Sequence, residues 1–180
     1  KENLEKKLYR LLPELKPRIV EVDQIAKVIP RHTALVEYQR YEPYLEDEWE
    51  EARYLAMILK SNGEIDQVDL GLAQPIEEKL KEALIASEKS LVNAQDRWNE
   101  VSDLVVSPLA KSLVGIKTLF ISPDAELNRI PFASLTSPME KGFLGEDLNI
   151  RLLTTGRELL DLAKRSQSTK YKSVVVADPL

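Results

Sequence analysis

The side chains able to act as nucleophile, base or acid in this chain are few, and their spacing is not that of a catalytic set. His32 is the only histidine and sits between Arg31 and Thr33 at the start of an apolar run. An imidazole is the natural general base near neutral pH, but it acts only beside a nucleophile and an orienting group. Its flanking sequence offers neither, so His32 reads as a solvent-exposed loop residue. Ser122 and Ser134 fall in the most motif-like stretch, yet neither occupies the Gly-x-Ser-x-Gly elbow that exposes and activates a serine. Turn and cap roles are expected for both. Asp124 and Glu126 flank the tip of a predicted hairpin, where Asp favours the turn by accepting from nearby backbone N–H groups. As an acid/base pair they lack a supporting group.

Ligand-binding patterns are equally thin. The acidic run Glu46 to Glu51 lacks the glycine and the alternating ligands of a calcium loop and reads as a solvated linker. Gly142, Gly145 and Gly156 form neither the Walker spacing nor Gly-x-Gly-x-x-Gly. With no cysteine in the chain, disulfides, thiolate metal sites and a cysteine nucleophile are excluded within these residues. No catalytic, metal-binding or cofactor-binding residue is assigned, and no cofactor is expected.

The elements that would position any site follow from periodicity. Lys1 to Leu12 and Val22 to Ile29 read as helices separated by Pro13 and Pro17, the second closed by Pro30. Thr33 to Tyr41, Arg53 to Leu59 and Ile65 to Leu70 read as three antiparallel strands, with Asn62-Gly63 supplying a two-residue primed turn. Gln74-Pro75 opens a helix that carries Ile76, Leu80, Ala83 and Leu84 at helical spacing and runs to about Leu91. A second helix over Ala94 to Leu113 presents Trp98, Val101, Leu104, Val105 and Leu109, with a break at Pro108. Lys117 to Ile121 is a strand, Pro123-Asp124-Ala125 a turn, and Leu127 to Arg129 a short return strand. Leu148 to Leu153 is the next strand, a helix runs from Thr155 or Gly156 through Ala163, and Lys172 to Ala177 is the last strand. Alternating strands and helices predict an α/β fold: a mixed sheet with helices on its faces.

Composition bounds the class. At 180 residues, 43% hydrophobic and 31% charged, the chain is long enough for one globular core. A formal charge of −5 opposes a sequence-independent grip on a phosphate backbone, so nucleic acid is not an expected partner. No apolar run approaches the roughly 20 residues that span a bilayer, so no membrane association is expected and the chain reads as cytoplasmic. Both ends read as cut. Lys1 enters a helical pattern at once, and Val174-Val175-Val176 is the kind of all-apolar run that becomes a strand covered on both faces of a parallel sheet.

Several blocks together carry a resemblance. Leu119 to Leu135 (LFISPDAELNRIPFASL), Leu144 to Ile150 (LGEDLNI), Thr154 to Leu160 (TTGRELL) and Val174 to Pro179 (VVVADP) are similar to the amino-terminal half of a CHAT domain. This is the caspase-like module often found after tetratricopeptide repeats in bacteria. Ala34 to Tyr38, Ala52 to Ala56 and Val68 to Gly71 resemble earlier blocks of the same family in the same order. The resemblance covers about Val22 to Leu180 and implies two parts: a helical lead-in over 1–21, the end of a repeat array, and the amino-terminal half of a CHAT domain over 22–180, truncated before the catalytic strands.

That family places Pro-Asp-Gly where this chain has Pro123-Asp124-Ala125, and a left-handed conformation at Ala125 would cost roughly 1 kcal/mol. In CHAT proteins the catalytic His, typically followed by Gly, and the catalytic Cys end strands that follow the one matching Val174 to Ala177, so no catalytic residue carries over. Asp178 would end the first core strand at the carboxyl edge, where open α/β sheets place their sites. The resemblance implies a noncatalytic half that braces the catalytic sheet of a cysteine peptidase. Its partners would be the remainder of its own CHAT domain, the preceding tetratricopeptide repeats, and a protein or peptide substrate. The alternative is a scaffold or regulatory protein-interaction module of a pseudoenzyme.

Overall fold

The structure, a computed structural model, describes residues 20–140 and 142–165. The expected helix over Lys1 to Leu12, the strand over Lys172 to Ala177, and Asp178 lie outside the described residues.

The described elements are helix α1 (Val22–Ala26), strands β1 (Thr33–Tyr41), β2 (Tyr44–Leu45), β3 (Glu48–Trp49), β4 (Arg53–Lys60) and β5 (Ile65–Leu72), helices α2 (Ala73–Glu88) and α3 (Ala94–Val105), strand β6 (Thr118–Ser122), helix α4 (Leu144–Asp147), strand β7 (Asn149–Leu152) and helix α5 (Glu158–Arg165). Short 3-10 turns fill Ser107–Leu109, Ala125–Arg129 and Phe132–Ser134. The main sheet has the order β5-β4-β1-β6-β7. β4 is antiparallel to both β1 and β5, whereas β6 is parallel to both β1 and β7. The mixed α/β architecture read from periodicity is the observed one, with the three antiparallel strands where they are expected.

Period-two alternation sorts the strands between two cores. Ala34, Val36 and Tyr38 of β1, Ile58 of β4, and Leu119 and Ile121 of β6 face α2 and α3, where they meet Ile76, Leu80, Ala83, Val101 and Val105. Leu35, Leu59 and Phe120 point to the opposite face and pack with Ile25 of α1, Ile29 just after it, Leu159 of α5 and Leu153 in the segment before it. The α3 helix ends at Val105 and passes into a 3-10 turn holding Pro108, because proline cannot supply the next helical N–H. The α2 helix stops at Glu88, short of the expected Leu91.

Three turns depart from their expected form. The β4–β5 connection is a three-residue loop: Gly63 N–H donates to Lys60 O, Lys60 N–H donates to Glu64 O, and Gly63 has φ +85° while Asn62 does not enter the left-handed region. That is a turn closed by a left-handed glycine rather than a two-residue primed turn. The acidic linker is not featureless, since β2 and β3 pair across Tyr44–Trp49 and Leu45–Glu48, with Glu46 and Asp47 both at positive φ at the tip.

The expected return strand over Leu127 to Arg129 is instead a 3-10 turn over Ala125–Arg129. Asp124 caps it, its carboxylate accepting from Ala125 N–H at 2.9 Å, and Leu127 is carried into the core rather than along a strand. Capping by a short acidic side chain competes with strand extension here. Ala125 adopts φ +48°, the left-handed conformation that the Asp-Ala pair put in question. Ala125→Gly is therefore expected to stabilise the protein by about 0.5–1 kcal/mol, strain relief outweighing the added freedom of glycine in the unfolded chain. A thermal melt that moves up by a few degrees is the expected reading, and a lower melting temperature would contradict it.

Candidate functional site

The carboxyl ends of the parallel strands meet in one cleft of about 390 Å³. β1 contributes Glu37, Tyr38 and Gln39, the end of β6 contributes Ser122, Pro123 and Asp124, and the segment between β7 and α5 contributes Thr154, Thr155 and Arg157. This is the edge at which open α/β sheets commonly gather functional groups. The reason lies in the register: Glu37 stands opposite Ser122, where β6 ends and β1 runs on unpaired on that side.

Backbone groups released at this edge are met by side chains. Asp124 accepts from Arg40 N–H at 2.8 Å, replacing the ladder partner that β6 no longer supplies. Gln39 Nε2 approaches the same carboxylate oxygen at 3.4 Å. Ser122 Oγ donates to Thr154 O at 3.0 Å, and Thr154 N–H donates to Glu158 Oε1 at 3.1 Å. Glu37 Oε1 accepts from Gly156 N–H at 2.7 Å, joining the centre of the sheet to the lead-in of α5. Tyr38 turns to the other face, where its hydroxyl donates to Val105 O at 2.9 Å, and burial pushes its phenol well above the ordinary range.

The sequence-nominated residues do not converge on a reactive pair. Ser122 lies in the cleft, but its hydroxyl is committed to a carbonyl and has no base beside it. His32 sits at the amino end of β1, its Nδ1 3.2 Å from Gly115 O. Ser122 is level with Glu37, so at about 3.3 Å per strand residue the imidazole is on the order of 15 Å away. Ser134 is exposed at the end of a 3-10 turn. Asp124 is a cap and a strand brace, while Glu126 is paired with Arg129 at 2.9 Å, so they form no acid/base couple. Gly145 lies within α4 against Ala133, and no group of metal-ligating side chains occurs among the described residues. What the cleft does chemically is hold three parallel strand ends in fixed relation.

Two contributors were missed from sequence. Glu37 shares the period-two face of Leu35, so a carboxylate on that face needed a donor, and this parity was the available signal. Gly156 marks the other half: a Cβ there would stand 2.5 Å from Leu35 Cδ2 and 2.9 Å from Glu37 Oε1. Leu35 is 2% exposed and cannot swing away. Gly156→Ala is expected to cost about 1–3 kcal/mol through overpacking, seen as a lower urea midpoint. A midpoint unchanged from wild type would show that α5 does not close this tightly on β1.

No helix among the described residues is long and apolar enough to cross a membrane. No curated protein matches the chain. The family described as CHAT domain matches residues 95–180, which takes in α3, β6, the two 3-10 turns that follow it, β7 and α5. β1, which precedes that span, lies between β4 and β6, so the matched segment and the strands before it share one sheet. Over residues 95–180 this chain is therefore similar to the CHAT domain family.

Proposed function

We propose that this chain supplies the noncatalytic amino-terminal half of a CHAT caspase-like cysteine-peptidase domain and braces the catalytic sheet of that domain. The observation that carries this reading is the locked carboxyl edge, where Glu37–Gly156, Ser122–Thr154 and Asp124–Arg40 bonds tie the strand ends together with no nucleophile and base in contact. In the complete domain a histidine takes the proton of a cysteine thiol and the thiolate attacks a peptide carbonyl, both groups coming from outside these residues. Rigid positioning of such a pair is worth several orders of magnitude in rate, which is the contribution a braced sheet edge makes. On this reading the chain's partners are the rest of its own CHAT domain, a preceding tetratricopeptide array and a peptide substrate, and it works in the cytoplasm.

The test is peptidase activity of the full-length protein on a peptide library, with and without a thiol-alkylating reagent. Cleavage abolished by alkylation is the expected result. Absence of cleavage would favour the second reading, a scaffold or regulatory interaction module, which the exposed aromatic side chains of the β2–β3 hairpin support.

A further inference from the structure

The β2–β3 hairpin carries the two most exposed aromatic side chains among the described residues. Trp49 is 71% exposed and Tyr44 55%, their ring centroids 4.9 Å apart on one face, with Leu45 exposed beside them. Strands of two residues cannot hold themselves together in water. This hairpin is instead fixed at its base, where Glu50 N–H donates to Pro43 O at 2.8 Å and β1 and β4 pair from Tyr41–Arg53 onward. A rooted hairpin thus holds a tryptophan, a tyrosine and a leucine out to solvent.

The surroundings of these rings are acidic. Glu46, Asp47, Glu48, Glu50 and Glu51 are all exposed, and none makes an ion pair with another described residue. The nearby cations are already engaged, Arg40 with Glu77 and Glu42, and Arg53 with Asp69. Glu50, Glu51 and Leu72 line two adjoining clefts of about 510 and 350 Å³, one reaching Leu45 and the other reaching Glu77. Apolar anchor, concave walls and negative charge with no ion-pair partner among the described residues therefore occur together on one end of the sheet.

We propose that this surface docks a segment of a partner protein that is rich in Lys and Arg and interspersed with apolar side chains. Trp49 and Tyr44 are the anchors, since rings held rigidly at a surface lose little entropy on binding and dominate interface energetics. Lys or Arg of the segment stacks on the rings and pairs with Glu50 and Glu51. Charge selects this occupant over others. A second copy of this chain, at a formal charge of −5, and an anionic membrane surface would both be repelled by the same carboxylates.

The experiment titrates the full-length protein into a fluorescent peptide of alternating Lys and Leu and follows anisotropy across increasing salt. Binding that weakens with salt, falls about tenfold or more in Trp49→Ala, and falls comparably in the Glu50→Gln/Glu51→Gln variant is the expected result. The double variant leaves the aromatic pair intact, so it remains informative if Trp49→Ala loosens the hairpin. Equal affinity for wild type and both variants would overturn the proposal, as would equal binding of a Lys-Gly peptide that lacks apolar side chains. Trp49-dependent self-association or vesicle binding in place of peptide binding would reassign the surface and equally overturn it.

Discussion

Phe132→Ala is expected to lower the unfolding free energy by about 3–5 kcal/mol, the largest single-residue effect that the fold suggests. Phe132 is 2% exposed and stacks on Tyr38 with ring centroids 5.6 Å apart and 27° between planes. It belongs to the core that also holds Leu127, Ile130 and Leu135, and these residues pin an otherwise irregular segment onto the sheet. Removing the ring loses its transfer free energy and leaves a void beneath Tyr38, which cannot collapse because its hydroxyl is tied to Val105 O. Phe132→Leu fills most of that space and is expected to cost about 1–2 kcal/mol. Urea denaturation of wild type and both variants measures this directly. A loss below about 1 kcal/mol for the alanine would mean the 3-10 segment is not a structural plug.

The second large effect is on alkaline stability. Tyr38 is buried and donates to Val105 O, and burial raises its phenol far above the ordinary value near 10. In the unfolded chain the phenol loses its proton above about pH 10, while in the folded chain it keeps it. The folded state then binds the extra proton, so the stabilisation is fully present below that pH and declines above it by about 1.4 kcal/mol per pH unit. Tyr54 acts with the same sign, raised first by burial and then by its hydrogen bond to Glu77.

Tyr38→Phe separates the two contributions. At neutral pH it should cost about 1–3 kcal/mol, because the Val105 carbonyl loses its buried donor. Above pH 10 the gap between wild type and variant should close, since the variant has no phenol to titrate at that position. Urea midpoints measured from neutral pH into the alkaline range test this, and curves that stay parallel would place the alkaline sensitivity elsewhere.

What could be read along the chain was whatever a few neighbouring residues encode. The alternation of Ala34, Val36 and Tyr38 against Leu35, the helical spacing of Ile76, Leu80 and Ala83, and the stop at Pro108 each act within one or two turns of chain, and each appears as expected. The identity of the Leu119 to Leu135 block was also legible, because the family match spans it. Local rules failed where two of them compete: Asp124 can shape a hairpin tip or cap a 3-10 turn, and in the observed 3-10 turn Leu127 is buried in the core. Sheet order and the site were decided by contacts that no local window contains. β1 lies at the centre because both of its faces are apolar enough to be covered, which lets residues 119 positions apart meet as Glu37 and Gly156. Sequence by itself therefore determined the main strands and helices and the likeness to the CHAT family, through propensities and motifs that act over short range. The tertiary structure alone decided which strand ends converge, because that choice minimises exposed apolar area and unpaired backbone over the whole chain at once.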